Sequence, residues 1–92
     1  MVFHWPAAER REELADSMRG MGEAMLAVPG CLGVDPPYLA DDGECLVGIS
    51  RWESRQAFLA SGITLGAADA VPEGETRPRQ RFLMDEAPTA RP

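Results

Sequence analysis

The chain predicts an α+β sandwich of order β-α-β-β-α-β, and three observations carry that prediction. Residues 7–27 hold one apolar stripe at helical spacing. Residues 31–52 form two apolar runs about an Asp-Gly turn, the mark of a hairpin. Residues 46–61 read as a buried strand that runs directly into a short helix. A last apolar run at 79–85 closes the split βαβ pattern.

Each element has a local reason. Val2, Phe3, His4 and Trp5 make a brief first strand before Pro6. Proline near a first helical turn is tolerated because its missing N–H would be unpaired there anyway. In the helix at 7–27, Leu14, Met18, Met21, Met25 and Val28 repeat at spacings of four and three. Pro29-Gly30 stops it. The strands at 31–40 and 44–52 flank Asp41-Asp42-Gly43-Glu44, with Asp42-Gly43 expected as a two-residue turn in which both carry positive φ. Pro36-Pro37 cannot donate to a ladder, so the first of these strands is an edge or carries a bulge. A second helix covers 54–61 and Gly62 ends it. Residues 62–78, rich in Gly, Ala and Pro, form a long lid or linker with room for a short helical turn near 65–70. Residues 87–92 are a tail, and the whole chain, 1–92, is expected to be one domain.

With that turn, Tyr38 faces Val47, Pro36 faces Ile49 and Val34 faces Arg51. Leu32, Val34, Tyr38, Cys45, Val47 and Ile49 then share an apolar face expected under the helices. The other face carries Gly33, Asp35, Leu39, Leu46, Gly48, Ser50 and Trp52. It is half apolar with gaps, which suits a pocket or an interface that encloses one. A one-residue shift at Pro36-Pro37 would exchange the faces of the first strand. In the same register Cys31 opposes Ser54 and Cys45 opposes Ala40, too far apart for a disulfide, so both are expected as reduced core thiols.

Composition excludes several classes. A net charge of −6 argues against nucleic-acid binding, which needs basic patches. All nine basic residues are arginine, and lysine and asparagine are absent, as in a GC-rich bacterial genome. No apolar run approaches the ~20 residues that cross a membrane, so the chain is expected in the cytoplasm. A 92-residue chain buries only roughly 60–65% of its unfolded surface, and oligomerisation is the remedy expected here. One histidine and two separated cysteines supply no zinc site, no Gly-x-Ser-x-Gly elbow occurs, and no Gly-rich turn follows a strand to cradle phosphate.

What remains is a constellation about the gapped face. Trp52 stacks on flat aromatic ligands, with Ser50, Gly48 and Leu46 beside it. His4 or Trp5 from the first strand and Arg79 or Arg81 from the last join it. His4 or Asp35 would move a proton. Arg81 would steady a developing anion.

The Trp52-Glu53-Ser54 joint between strand and helix, with the Pro29-Gly30-Cys31 helix end, resembles the antibiotic biosynthesis monooxygenase family. That resemblance implies a ferredoxin-like sandwich that pairs into a dimeric α+β barrel. It implies cofactor-independent oxygenation: an electron-rich anthrone or hydroquinone is deprotonated and reacts with oxygen itself. No cofactor and no metal are expected. Haem-degrading relatives use a later histidine, and nothing after His4 is histidine here. Both that branch and the anthrone branch commonly use an asparagine that this chain lacks. The expectation is therefore a homodimer that binds a small apolar or aromatic molecule, with monooxygenation of a quinol-type substrate. The alternatives are a non-catalytic accessory or regulatory module, and a cyclase or isomerase on the same scaffold.

Overall fold

The computed structural model describes residues 1–63 and 69–86. The tail at 87–92 and most of the turn expected near 65–70 lie outside these residues. Nine elements appear in order: β1 (Val2–His4), a 3₁₀ turn (Ala8–Arg10), α1 (Arg11–Leu26), β2 (Cys31–Val34), β3 (Tyr38–Leu39), β4 (Leu46–Gly48), β5 (Ser50–Trp52), α2 (Arg55–Ala60) and β6 (Gln80–Arg81). The two strands expected at 31–40 and 44–52 are each broken in two. Counted as single strands, they give the expected β-α-β-β-α-β order, with both helices packed on antiparallel sheet. This is a ferredoxin-like α+β architecture.

The break has a chemical cause. Pro36 and Pro37 have no amide hydrogen, so the ladder cannot pass through them. Opposite them the chain kinks at Ile49, whose carbonyl accepts from the Asp35 amide at 2.9 Å. The result is a four-stranded sheet of order β3-β4-β1-β6 and a two-stranded sheet of β2 and β5. Near the turn the expected register holds, with Tyr38 opposite Val47 and Leu39 opposite Leu46. Beyond the prolines it slips by one, so Val34 opposes Ser50 and Gly33 opposes Arg51. Cys31 opposes Trp52 instead of Ser54, and a bulge at Leu32 separates it from Gly33.

The turn also differs from expectation. Within the turn only Gly43 has positive φ (73°), and among the described residues none but glycines do. The loop is four residues long, closed by the Ala40 amide on the Cys45 carbonyl at 2.8 Å. The Asp42 carboxylate accepts from the Glu44 and Cys45 amides at 2.9 and 3.3 Å. An Asx side chain thus replaces one backbone bond of the tighter turn, and the register survives because loop residues were added evenly on both sides.

For residues 38–52 the faces are reversed relative to the sequence reading, while Val34 keeps the helix side expected of it. A side-chain carbon built on Gly48 would lie 3.2 Å from the Met18 methyl, and one on Gly22 would lie 3.0 Å from Val34 Cγ1. The helix therefore sits on the side carrying Val34, Leu46, Gly48, Ser50 and Trp52. The two glycines let α1 approach the sheet closely. Residues of the other parity, Phe3, Tyr38 and Val47, point away from the helices. Met21, expected in the helix stripe, is 60% exposed, because the buried face of α1 centres on Met18 and Gly22. The helix starts at Arg11, four residues later than expected, after the 3₁₀ turn.

The core is thin. Trp5, Cys45, Leu46 and His4 are the buried side chains of note, and none is wholly sealed. Both cysteines are free thiols, as expected. Phe3, Val47, Tyr38 and Phe82 line a sheet face that no described element covers. No helix among the described residues is long and apolar enough to cross a membrane.

Gly30 joins the end of α1 to the start of β2 at φ 88°, and a Cβ there would lie 2.7 Å from Ala57 Cβ of α2. Gly30→Ala should therefore cost about 2–4 kcal/mol by left-handed strain plus overpacking. Gly43→Ala, equally left-handed but facing open space, should cost only ~1–2 kcal/mol. Urea unfolding of the two variants measures the difference.

Candidate functional site

Strand β1 places the site's ionisable residues. His4 pairs with Leu46, and Val2 pairs with both Gly48 and Arg81. Directly paired residues share a face, so His4, Leu46, Gly48 and Arg81 all project toward the helices. Ser50 and Trp52 continue that face along β5. Six of the eight expected site residues are thus brought to one side of the sheet.

Trp52 is fixed at one end. Its indole N–H donates to Ser50 Oγ at 2.9 Å, and its ring meets Phe58 of α2 edge-on, with centroids 5.5 Å apart. Ser54 caps α2 by accepting from the Ala57 amide at 3.0 Å, as an N-cap serine does. The Trp-Glu-Ser joint is therefore one mechanical unit: tryptophan on the sheet, cap, and helix laid over the ring.

His4 is fixed at the other end and is 8% exposed. Its Nδ1 lies 3.4 Å from Glu75 Oε1, and at that geometry it makes no hydrogen bond. The Glu75 carboxylate is 2% exposed. Arg79 grips it with Nε at 2.9 Å and Nη2 at 2.6 Å from Oε2. Burial lowers the pKa of the imidazole, Arg79 lowers it further, Glu75 opposes them, and Arg81 adds a smaller lowering. The neutral ring is the favoured form. Arg81 is half-buried and forms no ion pair among the described residues.

Glu75 is the residue that sequence reasoning missed. It sits in the Gly- and Pro-rich stretch expected as a lid or linker. Yet the Thr76 amide donates to the Trp5 carbonyl at 2.7 Å and the Ala7 amide to the Gly74 carbonyl at 2.9 Å, which ties 74–76 to 5–7 as a short antiparallel bridge. No apolar period around Glu75 marks it in the sequence. A cleft of about 120 Å³ runs between α1 and this segment, with Leu14 and Ser17 on one wall and Glu75 on the other.

Asp35 and Trp5 lie elsewhere. Asp35 is on the opposite face, because the proline slip put Val34 on the helix side. Arg51 reaches across Gly33 and holds the carboxylate with both terminal nitrogens, at 2.5 and 3.1 Å, while the Tyr38 hydroxyl donates at 3.0 Å. The hydrogen bond from Arg51 keeps the Asp35 carboxyl below the usual range, so it is a poor proton acceptor. Trp5 follows His4 and points the other way, with its ring 6.3 Å from Phe3 and the Arg77 guanidinium 3.9 Å over it. Among the described residues no group of His, Cys, Asp and Glu is arranged to hold a metal.

Comparison with known proteins decides the family. The model for "Antibiotic biosynthesis monooxygenase" matches residues 1–64, more than half of the chain. The chain belongs to the antibiotic biosynthesis monooxygenase family. A solved structure, "Structure of Rv0793 from Mycobacterium tuberculosis", is similar over nearly the whole length. The TM-score is 0.65 and the identity 26%, covering 95% of this chain and 94% of that one. No curated protein matches the chain. Proteins of this family are commonly dimeric. His4, Leu46, Gly48, Ser50 and Trp52 all fall inside the family match, whereas Glu75, Arg79 and Arg81 lie beyond it.

The lowered His4 pKa fixes the sign of a pH dependence. An unfolded chain binds a proton near pH 6.5 that the folded ring resists. Stability is therefore complete above about 6.5 and falls as pH drops below it, until the folded ring is itself protonated. The melting temperature should fall between about pH 7 and about pH 5, and His4→Gln should remove that part of the fall.

Proposed function

We propose that this family member binds a small, flat, largely apolar molecule and oxygenates it without a cofactor, the substrate being of aromatic or quinol type. The observation that carries the proposal is the buried, neutral His4 held beside Glu75 on the sheet face that also presents Trp52. A neutral imidazole backed by a carboxylate is suited to take a proton from an acidic hydroxyl. Glu75, 3.4 Å from Nδ1, stabilises the imidazolium that results. Arg81, unpaired and on the same face, steadies the phenolate or enolate. That anion is the electron-rich species that reacts with oxygen. Leu46 and Gly48 form the floor beside His4, and Trp52 and Ser50 close the far end of the face. Met18, now over Gly48, is the adaptable side chain that yields room. Asp35 has no part in the chemistry, because Arg51 neutralises it on the far face.

We assign the uncovered sheet face to a second copy of the chain. Phe3, Val47, Tyr38 and Phe82 would cover one another across the dimer, and the Asp35–Arg51 pair would lie within it. This supports the thin core, which is marginal for a domain of this length.

An oxygen electrode tests the activity. With a panel of hydroquinones and anthrones the protein should consume oxygen, and His4→Gln should slow it by roughly 10²-fold or more. The rate should rise with pH to a plateau whose midpoint lies below 6.5. Glu75→Gln should move that midpoint lower still, since Glu75 is the group that raises the His4 pKa. Substrate conversion without oxygen uptake would assign a cyclase or isomerase instead. For the dimer, Val47→Asp should yield monomers by light scattering, with a melting temperature lower by several degrees; an unchanged mass would remove this assignment.

A further inference from the structure

We propose a second binding site, on the opposite side of the β1 end from His4, for the oxyanion of a small acid with an apolar body. A cleft of about 340 Å³ lies there, with Trp5, Pro6 and Ala8 forming its apolar walls and Arg11 and Arg77 its charge. That volume admits a molecule of benzoate size.

The arginines carry the argument. In this chain acids outnumber bases, fifteen to nine. Arg10, Arg19, Arg51, Arg55 and Arg79 each hold a carboxylate. Arg11, Arg77 and Arg81 hold none among the described residues, and the first two line this cleft. Residues 64–68 and 87–92 contain no Asp or Glu side chain that could serve them. Arg11 Nε is buried and has no hydrogen-bond partner. A buried guanidinium N–H without an acceptor is an unmet demand, and folded proteins seldom leave one. The Arg77 guanidinium carbon lies 3.9 Å over the Trp5 ring, a cation–π contact that holds the group at the cleft. Glu44 lines the cleft too, yet it pairs with neither arginine. Two guanidiniums that line one cleft, neither paired with a carboxylate, are suited to carboxylate or phosphate through charge-assisted hydrogen bonds. The Pro6 and Ala8 walls select a ligand that carries an apolar body behind that charge.

This site does not depend on the chemistry proposed at His4. His4 and Trp5 point to opposite sides of the strand, so binding here is read without any turnover.

The test follows the two indole N–H signals by NMR, with Trp52→Phe assigning them. Benzoate and inorganic phosphate are titrated separately into the full chain. The Trp5 signal should move saturably with benzoate, at least as tightly as with phosphate, and the affinity should fall as salt is added. Arg11→Gln and Arg77→Gln should each weaken binding about tenfold, while the spectrum keeps its dispersion. Glu44→Gln, a change on the exposed rim, should tighten binding about twofold or more. The proposal is overturned if neither probe gives a saturable shift, if phosphate binds and benzoate does not, or if the Arg11→Gln, Arg77→Gln double variant binds benzoate as well as the unaltered chain.

Discussion

Two missing amide hydrogens, at Pro36 and Pro37, set the geometry from which the rest follows. A ladder cannot run through them, so the second strand is cut and its partner kinks at Ile49. The slip of one residue then turns Val34 toward α1, where Gly22 leaves it room at 3.0 Å. The same slip turns Asp35 away from the helices and into the grip of Arg51. A single unbroken hairpin would have placed the carboxylate under the helix and the valine outside. Burying an unpaired carboxylate there would cost far more than one lost ladder bond, so the slip and the Val34–Gly22 contact support each other.

The second organising feature is how much is asked of a three-residue strand. β1 pairs with β4 on one side and β6 on the other, and just past its end it bonds to 74–76. His4 sits where those partners meet, and for that reason it is buried by backbone and not by a large apolar core. Glu75 arrives beside it through the Thr76 and Ala7 backbone bonds, and Arg79 then neutralises the buried carboxylate. Surface pairs such as Arg19–Asp16 contribute only ~0.3–0.5 kcal/mol. The Glu75–Arg79 fork is of another kind, since breaking it strands a buried charge at a cost of ~3–5 kcal/mol.

The distribution of charge separates the two faces by purpose. On the helix side a neutral histidine shares the face that carries Trp52 with Arg81, which has no ion pair among the described residues. On the far side Asp35, Arg51 and Tyr38 neutralise one another beside the apolar patch of Phe3 and Val47. A satisfied ion pair can be covered by a partner at modest cost, whereas an unsatisfied one resists burial. At the β1 end, Arg11 and Arg77 line one cleft and, like Arg81, hold no carboxylate among the described residues.

The sequence by itself determined the element order, the antiparallel hairpin, the proline break, the reduced cysteines and the strand-to-helix joint at Trp52-Glu53-Ser54. These follow from local causes: apolar period, turn residues, missing donors and a capping serine. It also named His4, Arg81, Leu46, Gly48, Ser50 and Trp52, which do share one face. What it assigned wrongly was which face the helices cover, and the reason is physical. Small residues read as a gap when only side-chain volume is counted, but between a helix and a sheet they are what permits close approach. Only the tertiary structure decided that, because Met18 and Gly48 are far apart in the chain. It alone brought Glu75 to His4 and Arg77 to Trp5, since a contact between the two ends of a chain leaves no periodic trace in either.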